Sequence, residues 1–258
     1  MSRKNAPDDH CRICGKYGKL SFEHVPPQSA FNSERVVTSP IGEGLDRPVD
    51  EPPRGKIVQG GVGDFTLCGQ CNNDTGSWYA NEFAVWCYQG AKVLAMTDGN
   101  PKLIYLHYIY PLRILKQIIT MAFSQNGLKF RELHPDLVEF VLNREKRWLN
   151  PRYRVFTYFN IHGTMRRIGD SMAMVNLYKG TDVIMVTEIS HPPYGYVLTT
   201  DGTNSSDKIT EISHFRRYEY DEWEVAPLYL PVLETHMPIP LDYRTKQEII
   251  DGRGDAVA

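Results

Sequence analysis

The spacing of apolar residues predicts three helices in the middle of the chain. From about Trp78 to Met96, aromatic and apolar residues recur at intervals of three and four, the period of a helix with one buried face. Pro111 and Pro135 each precede a similar pattern and suit the first position of a helix. The helix that begins at Pro111 is predicted to end near Asn126.

From Tyr153 onwards, the chain changes to short runs of β-branched and aromatic residues that are separated by turn-forming residues. Such runs predict strands, and their punctuation by glycine, proline, asparagine and aspartate favours an antiparallel sheet. The predicted strands are Arg154–Phe159, Met172–Leu177, Asp182–Thr187, Tyr194–Thr199 and Ile209–Tyr220.

The N-terminal part shows less periodicity. Leu20 to Val25 predicts a strand that ends at two prolines, and Phe65 to Leu67 predicts a second, shorter one. Residues 32–63 are rich in glycine, proline and charge, which predicts a long loop.

These elements together predict an α+β protein with an N-terminal unit, a helical middle and a C-terminal antiparallel sheet. We expect the N-terminal unit over residues 1–97, the helical segment over 98–150 and the β-rich domain over 151–258.

The composition is typical of a soluble globular protein, with 41% hydrophobic and 23% charged residues among 258. No run of about 18 apolar residues occurs, so we expect no transmembrane helix. The first residues lack the apolar stretch of a secretory signal, and the expected compartment is therefore the cytoplasm.

Charge is distributed unevenly along the chain. Residues 102–154 hold ten Lys or Arg and four Asp or Glu, a net charge of +6, whereas residues 155–258 hold nine and fifteen, a net charge of −6. The basic part includes four residues interleaved with aromatics that would suit phosphate contact: Arg144, Lys146, Arg147 and Arg152. An ordinary helix end with a solvated surface is an equal interpretation.

Four of the five cysteines form two pairs with the spacing Cys-x-x-Cys, namely Cys11 with Cys14 and Cys68 with Cys71. In a chain of this size and expected compartment, two such knuckles favour a shared tetrahedral zinc site over disulfides. The 53 residues between the knuckles do not prevent a shared site, because the cost of closing a loop grows slowly with its length.

The order of these residues resembles a known family. The first knuckle, then Glu23-His24-Val25-Pro26, then Leu67 with the second knuckle and Asn72, is similar to the HNH (ββα-metal) endonucleases, in the branch with two zinc knuckles. The resemblance covers about residues 9–80 and implies a zinc-stapled ββα-metal unit with a structural zinc. It implies metal-dependent hydrolysis of phosphodiester bonds in nucleic acid. We expect DNA as the substrate, although the sequence does not distinguish DNA from RNA.

The resemblance also implies roles for three residues. His24 would be the general base that activates water, and Glu23 and Asn72 would hold a catalytic Mg²⁺ or Mn²⁺ through oxygen atoms. Asn73 is the alternative to Asn72. Since neighbouring residues of a strand point to opposite faces, Glu23 and His24 can serve one metal site only if the strand is irregular there.

The sequence departs from the family pattern before the second knuckle, where an asparagine that supports the loop of the base is usual. Residues 60–65 contain none, and Asp64 and Asn32 are the alternatives. This departure keeps a second function open, a non-catalytic zinc-containing module that binds nucleic acid or acts as an adaptor. The C-terminal region is a further candidate, for a regulatory ligand or protein partner.

Overall fold

The computed structural model describes residues 6–45, 47–52, 54–175, 182–203 and 207–252. Within these residues the chain mixes helices with sheets, and the largest sheet lies in the C-terminal part. The predicted α+β composition with a C-terminal antiparallel sheet is therefore confirmed.

The N-terminal part contains a small antiparallel sheet followed by a helix. Its elements are β1 (Asp8–His10), β2 (Tyr17–His24), β3 (Val36–Thr38), α1 (Ile41–Leu45), β4 (Lys56–Val58), β5 (Gly63–Cys68) and α2 (Gly69–Thr75). Strand β2 lies between β1 and β5 and is antiparallel to both. The prediction of a loop over residues 32–63 is wrong in part, because β3 pairs with β4. These three-residue strands are too short to produce a visible alternation in sequence.

The middle part is mainly helical. After a π-helical segment (Gly76–Ala80) come α3 (Asn81–Met96), β6 (Tyr105–Ile109), α4 (Pro111–Gln125), α5 (Leu128–Leu133) and α6 (Pro135–Leu142). The three predicted helices are confirmed. The first of them starts earlier than predicted, since α2 and the π-helical segment lead directly into α3 from Gly69.

The C-terminal part contains a six-stranded sheet. Its elements are β7 (Arg154–Gly163), β8 (Arg166–Val175), β9 (Asp182–His191), β10 (Tyr194–Thr199), β11 (Thr210–Glu211), a 3₁₀ turn (Ser213–Arg217), β12 (Glu224–Leu228), β13 (Val232–Thr235) and α7 (Lys246–Ile250). The strand order is β11-β7-β10-β9-β8, and β13 joins β7 in parallel while the other pairs are antiparallel. The last two residues of the predicted strand Met172–Leu177 lie outside the described residues.

The predicted strand Ile209–Tyr220 is wrong over most of its length. Only Thr210 and Glu211 pair with β7, and the 3₁₀ turn follows. Ile212 and Phe215 are both buried, and a spacing of three suits a 3₁₀ turn rather than a strand. Ser213 supports this turn, because its hydroxyl accepts a hydrogen bond from the Val155 amide at 2.8 Å.

One main core runs through all three predicted segments. It contains residues of β2 and β5, of α3, α4 and α6, and of β7 and β10. Strand β6 of the middle part pairs with β12 of the C-terminal part, which links the two along the chain. A smaller core that includes Phe156, Tyr158, Leu241 and Tyr243 joins the C-terminal segment to the sheet.

Lys116 interrupts the apolar run of α4, yet the fold buries it completely. Its ammonium donates to the carbonyl oxygens of Phe140 and Asn143, both at 2.6 Å, at the C-terminal end of α6. Burial lowers the pKa of Lys116 to about 7. The Lys116 ammonium thus donates hydrogen bonds to carbonyl groups at the C-terminal end of a helix, where a cation is favoured.

Candidate functional site

The two cysteine knuckles meet at one point. The four sulfur atoms of Cys11, Cys14, Cys68 and Cys71 all lie within 4.8 Å of one another, and Cys14 and Cys68 are 3.8 Å apart. Zinc–sulfur bonds of about 2.3 Å in a tetrahedron require sulfur–sulfur distances of roughly 3.8 Å. The cluster therefore fits a structural metal such as zinc, and it is the one group of three or more metal-ligating side chains found among the described residues.

Local backbone structure explains how each knuckle forms. The first is the turn between β1 and β2, closed by hydrogen bonds from the Cys11 amide to Lys16 and from the Gly15 amide to Cys11, both at 2.9 Å. Gly15 has a φ of 75°, which favours glycine. The second knuckle is the junction of β5 and α2, where the Cys68 sulfur caps the helix by accepting from the Cys71 amide at 3.5 Å.

Hydrogen bonding within the cluster favours a thiolate at one position. The Cys71 thiol lowers the pKa of Cys11 to about 4, while the same hydrogen bond, together with burial, raises the pKa of Cys71. A bound divalent cation would favour the thiolate form at all four positions.

Two arginines fasten the first knuckle to the helices. Arg131 of α5 donates to the Ile13 carbonyl at 3.1 Å, and Arg12 donates to the Ser124 carbonyl of α4 at 2.7 Å. Sequence analysis did not identify either residue, and the distance of more than 100 positions between partners leaves no local signal.

The end of β2 lies beside the second knuckle. In the ladder with β5, Glu23 is opposite Asp64 and His24 is opposite Gly63. The register shifts between Ser21 and Phe22, so the pairing is irregular just before the two candidate residues. The extra residue of this bulge is Thr66, so the inserted residue lies in β5 and not in β2.

Asn72 connects α2 to this strand end. Its side-chain amide donates to the Ser21 hydroxyl at 3.0 Å and to the Phe22 carbonyl at 3.1 Å. Asn73, the alternative candidate, is exposed on α2.

Glu23 is only 8% exposed. It is two residues after Ser21 in the same strand, and alternation therefore places it on the face of β2 that carries Ser21. No hydrogen bond or ion pair to its carboxylate is found among the described residues, and burial raises the pKa of Glu23 to about 8. Asn72 therefore contacts the two residues of β2 that directly precede this buried carboxylate.

His24 is half-buried and lies on the other face of β2, where its ring is 4.9 Å from that of Phe22. Its Nε2 atom is 3.1 Å from the Gly60 carbonyl oxygen. Because a carbonyl only accepts, this contact requires the proton on Nε2 and leaves Nδ1 as the acceptor.

Asn32 closes the loop that follows His24. It is buried, and its amide donates to the carbonyls of Pro26 and Val62 while its oxygen accepts from the Val62 amide, each at 2.7 Å. Of the two alternatives for loop support, Asn32 makes these contacts. Asp64 is exposed, and its carboxylate accepts from the neighbouring Phe65 amide.

The four predicted phosphate-binding residues each have a carboxylate partner. Their ion pairs are Arg144 with Glu145 at 3.1 Å, Lys146 with Glu139 at 2.5 Å, Arg147 with Glu219 at 2.5 Å and Arg152 with Asp136 at 3.8 Å. The positive charge of this cluster is therefore compensated within the protein.

Comparison with protein-family models, with curated proteins and with solved structures gives no match to this chain. In the part of the chain that the structure describes, no helix has the length and apolar character needed to cross a membrane.

Proposed function

We propose that this protein is a metal-dependent endonuclease that hydrolyses phosphodiester bonds of nucleic acid, with DNA as the expected substrate. The observation that carries the proposal is the contact of Asn72 with β2 beside Glu23, a buried carboxylate without a partner among the described residues. Burying a carboxylate without compensation is costly, so such a group suggests a cation ligand.

The donor set fits a hard divalent cation. Glu23 offers carboxylate oxygens, and Asn72 offers its amide oxygen while its nitrogen is bonded to β2. Mg²⁺ and Mn²⁺ both accept such ligands and retain several waters. When bound, the cation would supply electrostatic stabilisation to the phosphate and to the leaving oxygen.

His24 would act as the general base. With Nε2 donating to Gly60, its Nδ1 atom is free to accept a proton from the attacking water. Asn32 supports this arrangement by tying Pro26, two residues after His24, to Val62. Glu23 and His24 lie on opposite faces at the end of β2, and they would approach one phosphodiester from different sides.

The zinc has a structural role in this proposal. Four thiolates fill a tetrahedral site and leave no open position for water or substrate. The metal would fix β2 against α2 and thereby hold Glu23 close to Asn72.

A non-cleaving nucleic-acid-binding or adaptor module is the second candidate. It is favoured by one observation, that Glu23 and His24 lie on opposite faces of β2. A zinc-stapled unit with this arrangement would bind without hydrolysis.

A cleavage assay separates the two functions. The pure protein is incubated with supercoiled DNA, linear DNA, single-stranded DNA and RNA, with Mg²⁺, with Mn²⁺ and with no added divalent cation. The nuclease proposal expects cleavage that depends on the added cation. Binding without cleavage of any substrate under all conditions would support the second candidate and contradict the first.

A further inference from the structure

Phe31 is an exposed aromatic residue between two anchored neighbours. Ala30 is buried and its amide donates to the Pro27 carbonyl at 2.8 Å, and Asn32 is held by three hydrogen bonds of its side chain. Phe31 nevertheless remains 38% exposed. The loop therefore holds this ring at the surface.

The backbone of Phe31 is strained. Its φ of 65° lies in the left-handed region, which a bulky aromatic residue rarely adopts. Glycine would avoid this cost, and strain of this kind is concentrated at functional sites. An exposed ring in a costly conformation suggests a role outside the core.

Tyr88 completes a pair of exposed rings. It lies on the outer face of α3 and is 54% exposed, and its ring is 4.8 Å from that of Phe31, at an angle of 55°. The two rings are tilted rather than stacked on each other, and both residues remain exposed to solvent. A flat aromatic ligand can stack on an exposed ring.

The basic residues near this pair have no ion-pair partners among the described residues, unlike those of the basic cluster at residues 144–154. Lys92 is one turn after Tyr88 on the same exposed face of α3, and Arg35 is exposed four residues after Phe31. Neither has an ion-pair partner among the described residues. Glu34 is also exposed beside Arg35 but makes no ion pair with it there.

The ring pair lies near the candidate catalytic strand end. The Asn32 side chain contacts the carbonyl of Pro26 at 2.7 Å, and Pro26 is two residues after His24. Standard bond lengths then limit the distance between the Cα atoms of Phe31 and His24 to about 20 Å. A strand of nucleic acid can span this distance with a few nucleotides.

We infer that Phe31 and Tyr88 form a stacking platform for an unpaired base of the nucleic-acid substrate, with Lys92 and Arg35 beside its phosphates. The inference rests on the proposed function for the identity of the ligand. Stacking on aromatic rings tolerates any base, so the platform would favour single-stranded or locally unpaired nucleic acid without selecting a sequence.

Equilibrium binding without added divalent cation tests the platform independently of cleavage. The affinity of a fluorescein-labelled single-stranded oligonucleotide is measured by anisotropy for the wild type, Phe31→Gly and Tyr88→Ala. Each substitution is expected to weaken binding about 5- to 150-fold, the range for loss of one base–aromatic stack. Tyr229→Ala is the matched control, because Tyr229 is 53% exposed and lies outside the platform, and its affinity should equal that of the wild type.

The stability of Phe31→Gly shows whether weaker binding results from loss of the ring or from misfolding. Glycine readily adopts a φ of 65°, so this variant should keep or raise the melting temperature of the wild type. If the variant binds more weakly but is as stable as the wild type, the lower affinity results from loss of the aromatic ring.

The outcomes separate this inference from the proposed function. Wild-type affinity in both Phe31→Gly and Tyr88→Ala, or no binding of oligonucleotides by the wild type, would overturn the platform. If platform variants lose affinity while the wild type cleaves nothing, the platform stands and the nuclease proposal fails. If cation-dependent cleavage is observed but neither variant affects affinity, only the platform fails.

Discussion

At the scale of single residues, the most informative side chains are those that the fold buries without satisfying them. Glu23 is 8% exposed, and its carboxylate has no hydrogen-bond or ion-pair partner among the described residues. His107 of β6 is fully buried, and neither of its ring nitrogens is bonded. Both arrangements cost free energy. For Glu23 we propose a role as a ligand of a divalent cation, whereas His107 is expected to affect only the stability of the fold.

Glu23→Gln is expected to raise the Mg²⁺ or Mn²⁺ concentration needed for cleavage by about tenfold or more, since each 1.4 kcal/mol of lost binding free energy is a factor of ten. Asn72→Ala should act in the same direction. The measurement is the initial cleavage rate over a titration of the cation. Asp64→Asn is the control, because Asp64 is opposite Glu23 in the ladder but exposed. An equal shift in Asp64→Asn would contradict the assignment of Glu23.

His107 should make the fold sensitive to acid. Burial lowers the pKa of His107 to about 4 in the folded state, while the unfolded chain binds the proton below about pH 6.5. Unfolding therefore takes up a proton in this window, and the free energy of unfolding should fall as pH drops from 6.5 to 4, by up to roughly 3 kcal/mol.

Urea unfolding of the wild type and of His107→Phe at pH 7 and pH 5 measures this effect. Phenylalanine cannot bind a proton and leaves no unpaired nitrogen, so the variant should lose less stability between the two pH values. Equal losses in both proteins would show that His107 does not titrate on unfolding.

At the scale of elements, the candidate site depends on the junction of β2, β5 and α2. The two knuckles lie at the ends of these elements, so a metal at the four sulfurs would connect all three. Asn72 adds a direct contact between α2 and β2.

Cys71→Ser should remove the metal and destabilise the N-terminal unit. Purified wild-type protein is expected to contain about one zinc per chain, and loss of a ligand removes a binding free energy that contributes to folding. Elemental analysis and thermal unfolding measure both effects. Cys87→Ala is the matched control, since Cys87 is buried on α3 away from the cluster and should retain the zinc. Folded, reduced wild-type protein without zinc would contradict the account.

Long periodic elements could be predicted from sequence, and short ones could not. The helices α3, α4 and α6 follow from spacings of three and four residues. Strand β6 was not predicted, because its five residues pair with β12 more than 100 positions later. The aromatic and β-branched composition of Ile209–Tyr220 favoured a strand, but burial of Ile212 and Phe215 produces a 3₁₀ turn.

The candidate site was also only partly predictable. The cysteine spacing indicated the metal cluster, and the side chains that would bind zinc do lie together. From the sequence, Asn32 could be named only as one of two alternatives for supporting the loop after His24. Its three hydrogen bonds join residues that only the fold brings together. The roles of Glu23, His24 and Asn72 stay predictions.

At the scale of the whole molecule, the uneven charge of the sequence is compensated in part by ion pairs between its basic and acidic segments. The basic cluster at residues 144–154 forms ion pairs, one of which joins Arg147 to Glu219 of the acidic C-terminal part. Such pairing could not be deduced from the net charge of each segment. A phosphate contact by this cluster must therefore compete with carboxylates.

Releasing Arg147 from its partner tests whether it contacts phosphate. Glu219→Gln should strengthen nucleic-acid binding and steepen its salt dependence by roughly one unit of slope, because a freed cation can neutralise one more phosphate. Glu132→Gln is the control, since it removes the same charge from an exposed residue with no ion pair among the described residues. Identical salt slopes in both variants would assign Arg147 to the solvated surface.

The central claim, a nuclease with His24 as its base, is tested most directly by the cleavage rate of His24→Ala at saturating cation. We expect the rate to fall ~10²–10⁴-fold, while zinc content and DNA affinity remain close to those of the wild type, because the base acts on water rather than on bound substrate. His162→Ala, at an exposed histidine of β7, should cleave at the wild-type rate. Cleavage by His24→Ala as fast as by the wild type would contradict the claim.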